Sequence, residues 1–329
     1  LNVLGIETSC DETAVAVVAD GRRTLSNVVS SQVELHAEYG GVVPELASRK
    51  HVEAIIPVLD EALRQAELTL EQIDAVAVTN GPGLAGALLV GVNFAKALAY
   101  DLGVPLLGVN HLEGHIYAAW LDRGDEPVFP LLALIVSGGH SDVVLMGGHG
   151  HHRRIGETVD DAAGEAFDKV ARLLGLGFPG GPAIDRLAAG AEKPSLRLPR
   201  AQLERPYNFS FSGLKTKVLR MTRGEEGEAP EQAELAAAFQ ESVVDSLVTK
   251  ALKAAEDHGA NQIVLSGGVA ANTLLRKELA ERSRVPVLVP PAALCTDNGA
   301  MIAAVAERRL AAGERSGRDL DVLPGLKIG

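Results

Sequence analysis

The sequence predicts an α/β protein with a mixed sheet in each of two halves. Three observations carry this. Strands alternate with helices along the chain, which argues for helices layered on sheets. The order of elements partly restarts after residues 124–130, a stretch of charges and prolines. An apolar strand running into Ser-Gly-Gly occurs in both parts, at Ser137-Gly138-Gly139 and Ser266-Gly267-Gly268. Similarity between the halves is weak at the level of residues, so the duplication is inferred from element order.

The elements follow in order. Apolar runs at 3–6 and 14–18 flank a polar turn and read as a hairpin. A helix is expected over 44–64, a strand over 75–79 ended by Gly81-Pro82-Gly83, and a helix over 85–102. A strand at 104–109 leads into a helix from 111 to about 121. The second half opens with a buried strand at 131–137, a Gly138-Gly139 turn and a partner strand at 142–146. Helices are expected over 158–174 and 231–258, then a strand at 262–266 and a helix from about Asn272. A strand at 286–289 precedes a last helix over 297–312. His149, His151 and His152, beside Arg153 and Arg154, read as an exposed glycine-rich loop.

Composition excludes several classes. At 329 residues the chain has length for about two domains. With 47% hydrophobic and 22% charged residues it can build a substantial core. A net charge of −12 excludes a uniformly basic nucleic-acid binder. An aromatic content of 4% argues against stacking platforms. Cys10 and Cys295 are far apart and form no C-x-x-C pair, so a reducing cytoplasm is expected. No unbroken apolar stretch reaches membrane-spanning length, and no membrane association is expected. One region departs from the acidic average. Residues 193–223 carry eight cations against Glu204 alone, which gives +7 and leaves −19 for the rest of the chain. Lys193, Arg197, Arg200, Lys215, Lys217 and Arg220 belong to it, and two readings stand: a polyanion-binding face or a solvated charged loop.

Four motifs carry candidate chemistry. Glu7-Thr8-Ser9-Cys10-Asp11-Glu12-Thr13 is a hydroxyl-rich turn that suits phosphate binding, or simply a surface turn. The Ser-Gly-Gly turns let backbone approach a ligand closely, or only end their strands tightly, with Asn80-Gly81-Pro82-Gly83 a looser copy. His111 and His115 lie one helical turn apart, a spacing suited to one metal ion or to surface and capping roles. Asp297 suits either a third ligand or, more simply, a helix N-cap. The pattern Phe178-Pro179-Gly180-Gly181-Pro182, with Asp168 and Asp185 on either side, reads as a rigid loop offering groups to a ligand, or as a connector.

Together these residues resemble the tRNA N6-adenosine threonylcarbamoyltransferase family, of the TsaD/Gcp type. The resemblance rests on eight ordered stretches: Gly5-Ile6-Glu7-Thr8-Ser9-Cys10-Asp11-Glu12-Thr13, Gly41-Val42-Val43-Pro44-Glu45-Leu46-Ala47-Ser48-Arg49, Asn110-His111-Leu112-Glu113-Gly114-His115, Ser137-Gly138-Gly139-His140, Phe178-Pro179-Gly180-Gly181-Pro182, Phe209-Ser210-Phe211-Ser212-Gly213-Leu214-Lys215, Ser266-Gly267-Gly268-Val269-Ala270-Ala271-Asn272 and Cys295-Thr296-Asp297-Asn298-Gly299. They span nearly the whole chain.

The resemblance implies an actin/Hsp70/sugar-kinase-like (ASKHA) duplicated fold, two lobes around an interdomain cleft. The first lobe is expected at 1–125, with a C-terminal helix in 298–329 packing back on it, and the second at 126–297, including 193–223. It implies transfer of a threonylcarbamoyl group from threonylcarbamoyl-AMP to the exocyclic amine of the adenosine 3′ of the anticodon. The tRNAs are those reading codons that start with A, and AMP is released. It further implies that His111, His115 and Asp297 hold one divalent metal per subunit, Fe(II) first and Zn(II) as the other fit. Ile135, Val136, Ser137, Gly138, Gly139, Asp168, Gly181, Asp185 and Asn272 are implied to bind the adenylate. Asp11 or Glu12 is expected to orient the attacking amine or accept its proton, and Arg197, Arg200, Lys215, Lys217 and Arg220 to contact tRNA. The implied partners are a degenerate paralogue of TsaB type and a small P-loop ATPase of TsaE type, or a larger eukaryotic/archaeal-type complex. Three other readings compete. The His-x-x-x-His pair fits a metal-dependent glycoprotease, but Glu113 is displaced by about 100° from the place of a zinc-protease base. An ATPase would use Asp11 near a γ-phosphate, and a scaffold would bind a nucleotide without chemistry.

Overall fold

The computed structural model describes residues 1–191, 194–225 and 227–329. Lys193, the first cation of the basic stretch, lies outside the described residues. The chain divides into two compact units, Leu1–Pro127 with Thr296–Ile328, and Val128–Cys295 with Gly329. The return to the first unit falls two residues earlier than the sequence boundary, so Asp297 belongs to the first unit and not to the second.

In the first unit β1 (Asn2–Glu7), β2 (Glu12–Ala19) and β3 (Arg23–Ser31) form an antiparallel meander. The short α1 (Val33–Ala37) leads to α2 (Pro44–Ala66), then β4 (Ala75–Gly81), α3 (Ala85–Leu102), β5 (Leu106–Asn110) and α4 (His111–Tyr117). The sheet order is β3-β2-β1-β4-β5, with β4 parallel to β1 and to β5. Leu4, Ile6, Val15, Val17, Val76 and Val78 fill its core against Ile55, Leu59 and Val92 of the helices. Pro44 starts α2 at its first turn, where a missing N–H costs nothing. Its buried residues His51, Ile55, Val58, Leu59 and Ala62 recur at helical spacing. Among the described residues α3 alone is long and apolar enough to cross a membrane. Here it lays Leu88, Val92, Ala95 and Ala99 into the core.

The second unit repeats the plan. It contains β6 (Leu131–Val136), β7 (Ser141–Gly148), β8 (His151–Gly156), α5 (Ala163–Leu173), α6 (Gly180–Ala189), α7 (Ser212–Thr222), α8 (Gln232–Asp257), β9 (Gln262–Ser266), α9 (Thr273–Arg282), β10 (Val287–Leu288) and α10 (Ala292–Cys295). Its sheet order, β10-β9-β6-β7-β8, is that of the first unit strand for strand. The duplication inferred from element order is therefore present. The last helix, α11 (Gly299–Ala311), returns to the first sheet. It comes so close to β1 that a Cβ on Gly5 would lie 2.2 Å from the Gly299 carbonyl oxygen.

Several sequence expectations are corrected. The histidine-rich loop contains an edge strand, β8, paired with β7 from Val143 to Gly148. β3 also went unread. Both are edge strands with few apolar residues, so alternation is masked while backbone pairing forms them. The helix expected from Thr158 begins at Ala163, because Thr158 and Asp160 serve the start of α7 instead. The Pro-Gly-Gly-Pro segment is not a free loop, since α6 starts at Gly180. The helix after Asn110 is α-helical only to Tyr117 and tightens into a 3₁₀ turn over Ala118–Trp120.

One core carboxylate gives a pH prediction. Asp142 on β7 is 2% exposed, and burial pushes its pKa up to about 6 although Arg154 lies 3.3 Å away. The folded state thus holds a proton that the unfolded chain has released near pH 4. Stability should fall by roughly 2–3 kcal/mol as pH rises from about 4 to above 6. In Asp142→Asn that component should vanish, as read from denaturant midpoints across this range.

Candidate functional site

The first site is built on α4. Asn110 caps this helix, accepting from the N–H groups of Leu112 at 2.9 Å and Glu113 at 3.4 Å. The cap fixes the first turn, so His111 and His115 rise from one face. Their rings meet edge to face with centroids 4.6 Å apart. All seven residues of α4 are buried. Gly114 makes this packing feasible, since a Cβ there would lie 2.9 Å from Ile302 of α11.

Asp297 arrives from the other end of the chain. The N-cap of α11 is Asn298, whose side chain accepts from the Met301 N–H at 3.0 Å. Asp297 is therefore not the cap, and its Oδ1 lies 3.2 Å from His115 Nε2 and 3.5 Å from His111 Nε2. The three ligand atoms fall within 4.8 Å of one another. His115 is wholly buried, its Nδ1 has no hydrogen-bond partner, and its Nε2 faces only the Asp297 carboxylate without a hydrogen bond. An unmet buried polar group costs about 1–3 kcal/mol, so two imidazoles and a carboxylate gathered here fit a cation.

Glu7 contacts this centre directly, and Glu12 feels the charge of Asp297. Glu7 is fully buried, and its carboxylate accepts from Thr79 Oγ1 at 2.6 Å, the Ser9 N–H and His111 Nδ1 at 2.9 Å. Burial opposes the charge on both partners. The Asp297 and Glu7 carboxylates nonetheless raise His111 to about 9, and the His111 charge holds Glu7 below the usual carboxylate range. Burial, with Asp297 and Asp11 adding like charge, pushes Glu12 up to about 10. The Glu7–Thr13 stretch thus brings one carboxylate, Glu7, onto His111, and burial holds the Cys10 thiol protonated in the same turn. His51 stays neutral through burial while hydrogen-bonding the Cys10 carbonyl at 3.0 Å, which fixes this turn. The sequence reading assigned no role to Glu7 or Thr79. The signal for Glu7 is a charged residue ending an otherwise apolar strand; Thr79 carries none.

The second site lies in the other unit. Ile135 and Val136 end β6 in the core, and Ser266 ends β9 opposite Ile135 in parallel register. The two glycine turns therefore leave neighbouring strands at the carboxyl edge of one sheet, where α/β sheets bind ligands. Gly267 takes φ +87 and passes against Val136, where a Cβ would lie 2.4 Å from its carbonyl oxygen. By contrast, a Cβ on Gly138, Gly139, Gly181 or Gly268 would meet nothing within 4 Å. That open space beside bare backbone fits a bound nucleotide. The Ser137 hydroxyl accepts from the His140 N–H at 3.2 Å and pins the first turn.

Asp168 and Asp185 anchor the starts of α6 and α9. Asp168 Oδ1 accepts from the Gly180 N–H at 2.7 Å, one residue before Gly181. Asp185 accepts from Thr273 Oγ1 at 2.9 Å and from Asn272 Nδ2 at 3.3 Å. Asn272 also donates to Gln240 at 2.9 Å and caps α9. Asp185 and Asn272 are thus brought together, with Thr273 and Gln240 as partners that went unread in the sequence.

The basic stretch is less positive than its count. Arg197 pairs with Glu241 at 2.6 Å, Arg200 with Asp245 at 3.1 Å, and Lys215 with Asp161 at 2.8 Å. Asp160 binds the hydroxyls of Ser210 and Ser212 and so anchors the start of α7. Lys217 is half-buried and Arg220 is exposed on that helix.

Comparison with known proteins gives the chain's family and fold. Residues 23–304 match the family model described as TsaD: tRNA N6-adenosine threonylcarbamoyltransferase. A protein named tRNA N6-adenosine threonylcarbamoyltransferase from Dehalococcoides mccartyi is 55% identical over 328 residues, covering 100% of this chain and 99% of its own. One of the same name from Thermomicrobium roseum is 57% identical, covering 97% of this chain and 95% of its own. The one from Bacillus cereus is 55% identical, covering 99% and 96%. Among solved structures, full-length HypF in its phosphate- and nucleotide-bound form has a TM-score of 0.66 at 15% identity, covering 96% of this chain and 47% of that one. Component A of (R)-2-hydroxyglutaryl-CoA dehydratase from Acidaminococcus fermentans has a TM-score of 0.57 at 16% identity, covering 94% and 99%. These two likenesses show the fold alone, the actin/Hsp70/sugar-kinase-like α/β type. The matched family model and the near-complete relatives show more: the chain belongs to the tRNA N6-adenosine threonylcarbamoyltransferase family, enzymes that modify tRNA by threonylcarbamoyl transfer.

Proposed function

We propose that this chain moves the threonylcarbamoyl group of threonylcarbamoyl-AMP onto the exocyclic amine of the adenosine 3′ of the anticodon. The substrates are tRNAs reading codons that start with A. The convergence of His111, His115 and Asp297 beside Asp11 and Glu12 carries the reading. The donor is a mixed carbamic–phosphoric anhydride, so the amine nitrogen attacks the carbamoyl carbon and the bond to the phosphate oxygen breaks. AMP leaves with that electron pair.

His111, His115 and Asp297 would hold one divalent metal per subunit. Two imidazoles and a carboxylate suit Fe(II) first and Zn(II) also. When bound, such an ion supplies Lewis-acid stabilisation of charge developing on donor oxygens. The chain's own groups do the rest. Ile135–Gly139, Gly181, Asp168, Asp185 and Asn272 seat the adenylate, with bare backbone against phosphate and carboxylates for hydroxyls. Asp11 or Glu12 orients the attacking amine or accepts its proton, with Glu12 the poorer acceptor because burial and its acidic neighbours push it up to about 10.

The tRNA is proposed to lie along α7, reaching Lys215, Lys217 and Arg220, with Arg197 and Arg200 on the preceding segment. Lys215→Glu with Arg220→Glu should weaken tRNA binding and flatten its salt dependence. Reversing Arg197, Arg200 or Lys215 alone, each already paired with Glu241, Asp245 or Asp161, should do less than reversing the exposed Arg220. Filter binding over a salt series reads both, and unchanged binding in the double variant sinks this face.

We also infer a protein partner, a degenerate paralogue of TsaB type, with a small P-loop ATPase of TsaE type completing the assembly. The exposed apolar residues Val52 and Ile56 of α2 and Leu89 and Tyr100 of α3 support a partner on that surface. The free thiols and the tRNA substrate favour the cytoplasm. The test is one reaction: the purified chain with tRNA, threonine, bicarbonate, ATP and the synthase that makes the donor, with and without partners. Threonylcarbamoyladenosine in the digested tRNA supports the reading. Peptide cleavage, or ADP formation alone, would replace it.

A further inference from the structure

We propose that Glu7 is a positioning residue of the metal centre: its carboxylate accepts the Nδ1 proton of His111 and thereby commits Nε2 to the metal. This rests on the reading of His111, His115 and Asp297 as ligands. Glu7 has 0% exposure at the end of β1, in the core of the first unit. No Lys or Arg pairs with it among the described residues. A buried carboxylate in such a place is expensive, and a neutral glutamine of nearly the same shape would avoid the charge. The neighbours explain why a carboxylate stands there. The Ser9 N–H reaches Oε1, while Thr79 Oγ1 and His111 Nδ1 reach Oε2 at 2.6 and 2.9 Å. The Ser9 amide can only donate, so Oε1 must accept, and Oε2 faces two more groups placed to donate. An ionised carboxylate is the one side-chain group that accepts at both positions.

The consequence falls on the ring. The two nitrogens of an imidazole are distinct, and the hydrogen bond made by one decides what the other does. With Nδ1–H bound to Glu7, Nε2, which lies 3.5 Å from Asp297 Oδ1, is the nitrogen left to bind a metal once the ring gives up its other proton. In Glu7→Gln the amide oxygen must stay toward the Ser9 N–H, which turns the NH₂ toward His111. The ring then presents a bare Nδ1 and carries its proton on Nε2, where it competes with the metal. Ser9 Oγ, 3.2 Å from Nδ1, adds a weaker contact that a neutral ring can keep in either tautomer.

The experiment measures Zn(II) affinity of the full chain by competition with a chromophoric chelator, in wild type and Glu7→Gln. Circular dichroism confirms that both are folded. Zn(II) affinity should fall about 10–100-fold in the variant. Nitrogen-15 spectra of Zn(II)-loaded wild type should show the His111 ring proton on Nδ1, protected from exchange. Equal affinity in a folded Glu7→Gln protein overturns this proposal alone, as does a His111 proton on Nε2 in the Zn(II)-loaded wild type. The ring spectrum decides the matter if the variant does not fold. A wild type that binds neither Zn(II) nor Fe(II) overturns the ligand reading itself, and this proposal with it.

Discussion

In His111→Ala, threonylcarbamoylation of tRNA should fall by more than about 10²-fold, and metal per chain should drop toward background. His111 is one of three ligand atoms gathered within 4.8 Å, and His115 and Asp297 alone offer two. Alanine also leaves the wholly buried Glu7 carboxylate with the Ser9 and Thr79 contacts but without its charged partner. That adds a stability cost of about 1–3 kcal/mol, which a thermal melt would register separately. Metal content by elemental analysis and modified nucleoside by mass spectrometry are the two readouts. Loss of metal with normal transfer would make the ion a structural one. Full retention of both would remove His111 from the centre.

Gly299→Ala should destabilise the first unit by about 1–3 kcal/mol or more and weaken metal binding as well. A Cβ at this position would lie 2.6 Å from the Ala16 amide nitrogen and 2.7 Å from the Gly5 carbonyl oxygen. These are backbone atoms of paired strands and cannot swing aside as a side chain can. The helix must back away from the sheet, and Asp297, two residues before it, moves with it. Gly5→Ala meets the same surface from the other side, 2.8 Å from the Ala303 amide nitrogen. Both variants should therefore lower the denaturation midpoint and the Zn(II) affinity together. A variant that loses stability but binds Zn(II) as tightly as wild type would uncouple the helix seat from the metal centre.

Much of this was legible in the sequence because the signals are local. Val3, Ile6, Val15 and Val17 mark the opening hairpin by composition alone, and the Ser-Gly-Gly turns mark the ends of β6 and β9. The i, i+4 spacing of His111 and His115 places them on one face before any tertiary contact is known. What stayed hidden depends on contacts distant in sequence. The role of Glu7 emerges only when β1, β4 and α4 bring it to Thr79 and His111. The ion pairs of Arg197 and Arg200 depend on Glu241 and Asp245 of α8, more than forty positions later, so the local charge sum overstated the field. The edge strands β3 and β8 are polar and are held by pairing, which composition does not display.

The return of the chain to its first unit has a consequence for biosynthesis. Positions 111 and 297 are 186 residues apart. At about 5–20 residues per second, ribosomes need roughly 10–40 s to make the third ligand after the first. A nascent chain therefore shows its two histidines long before the carboxylate and α11 exist. On the proposed ligand set, tight metal capture waits until Asp297 and α11 have been made, so a product terminated before them keeps its histidine pair but lacks the third ligand.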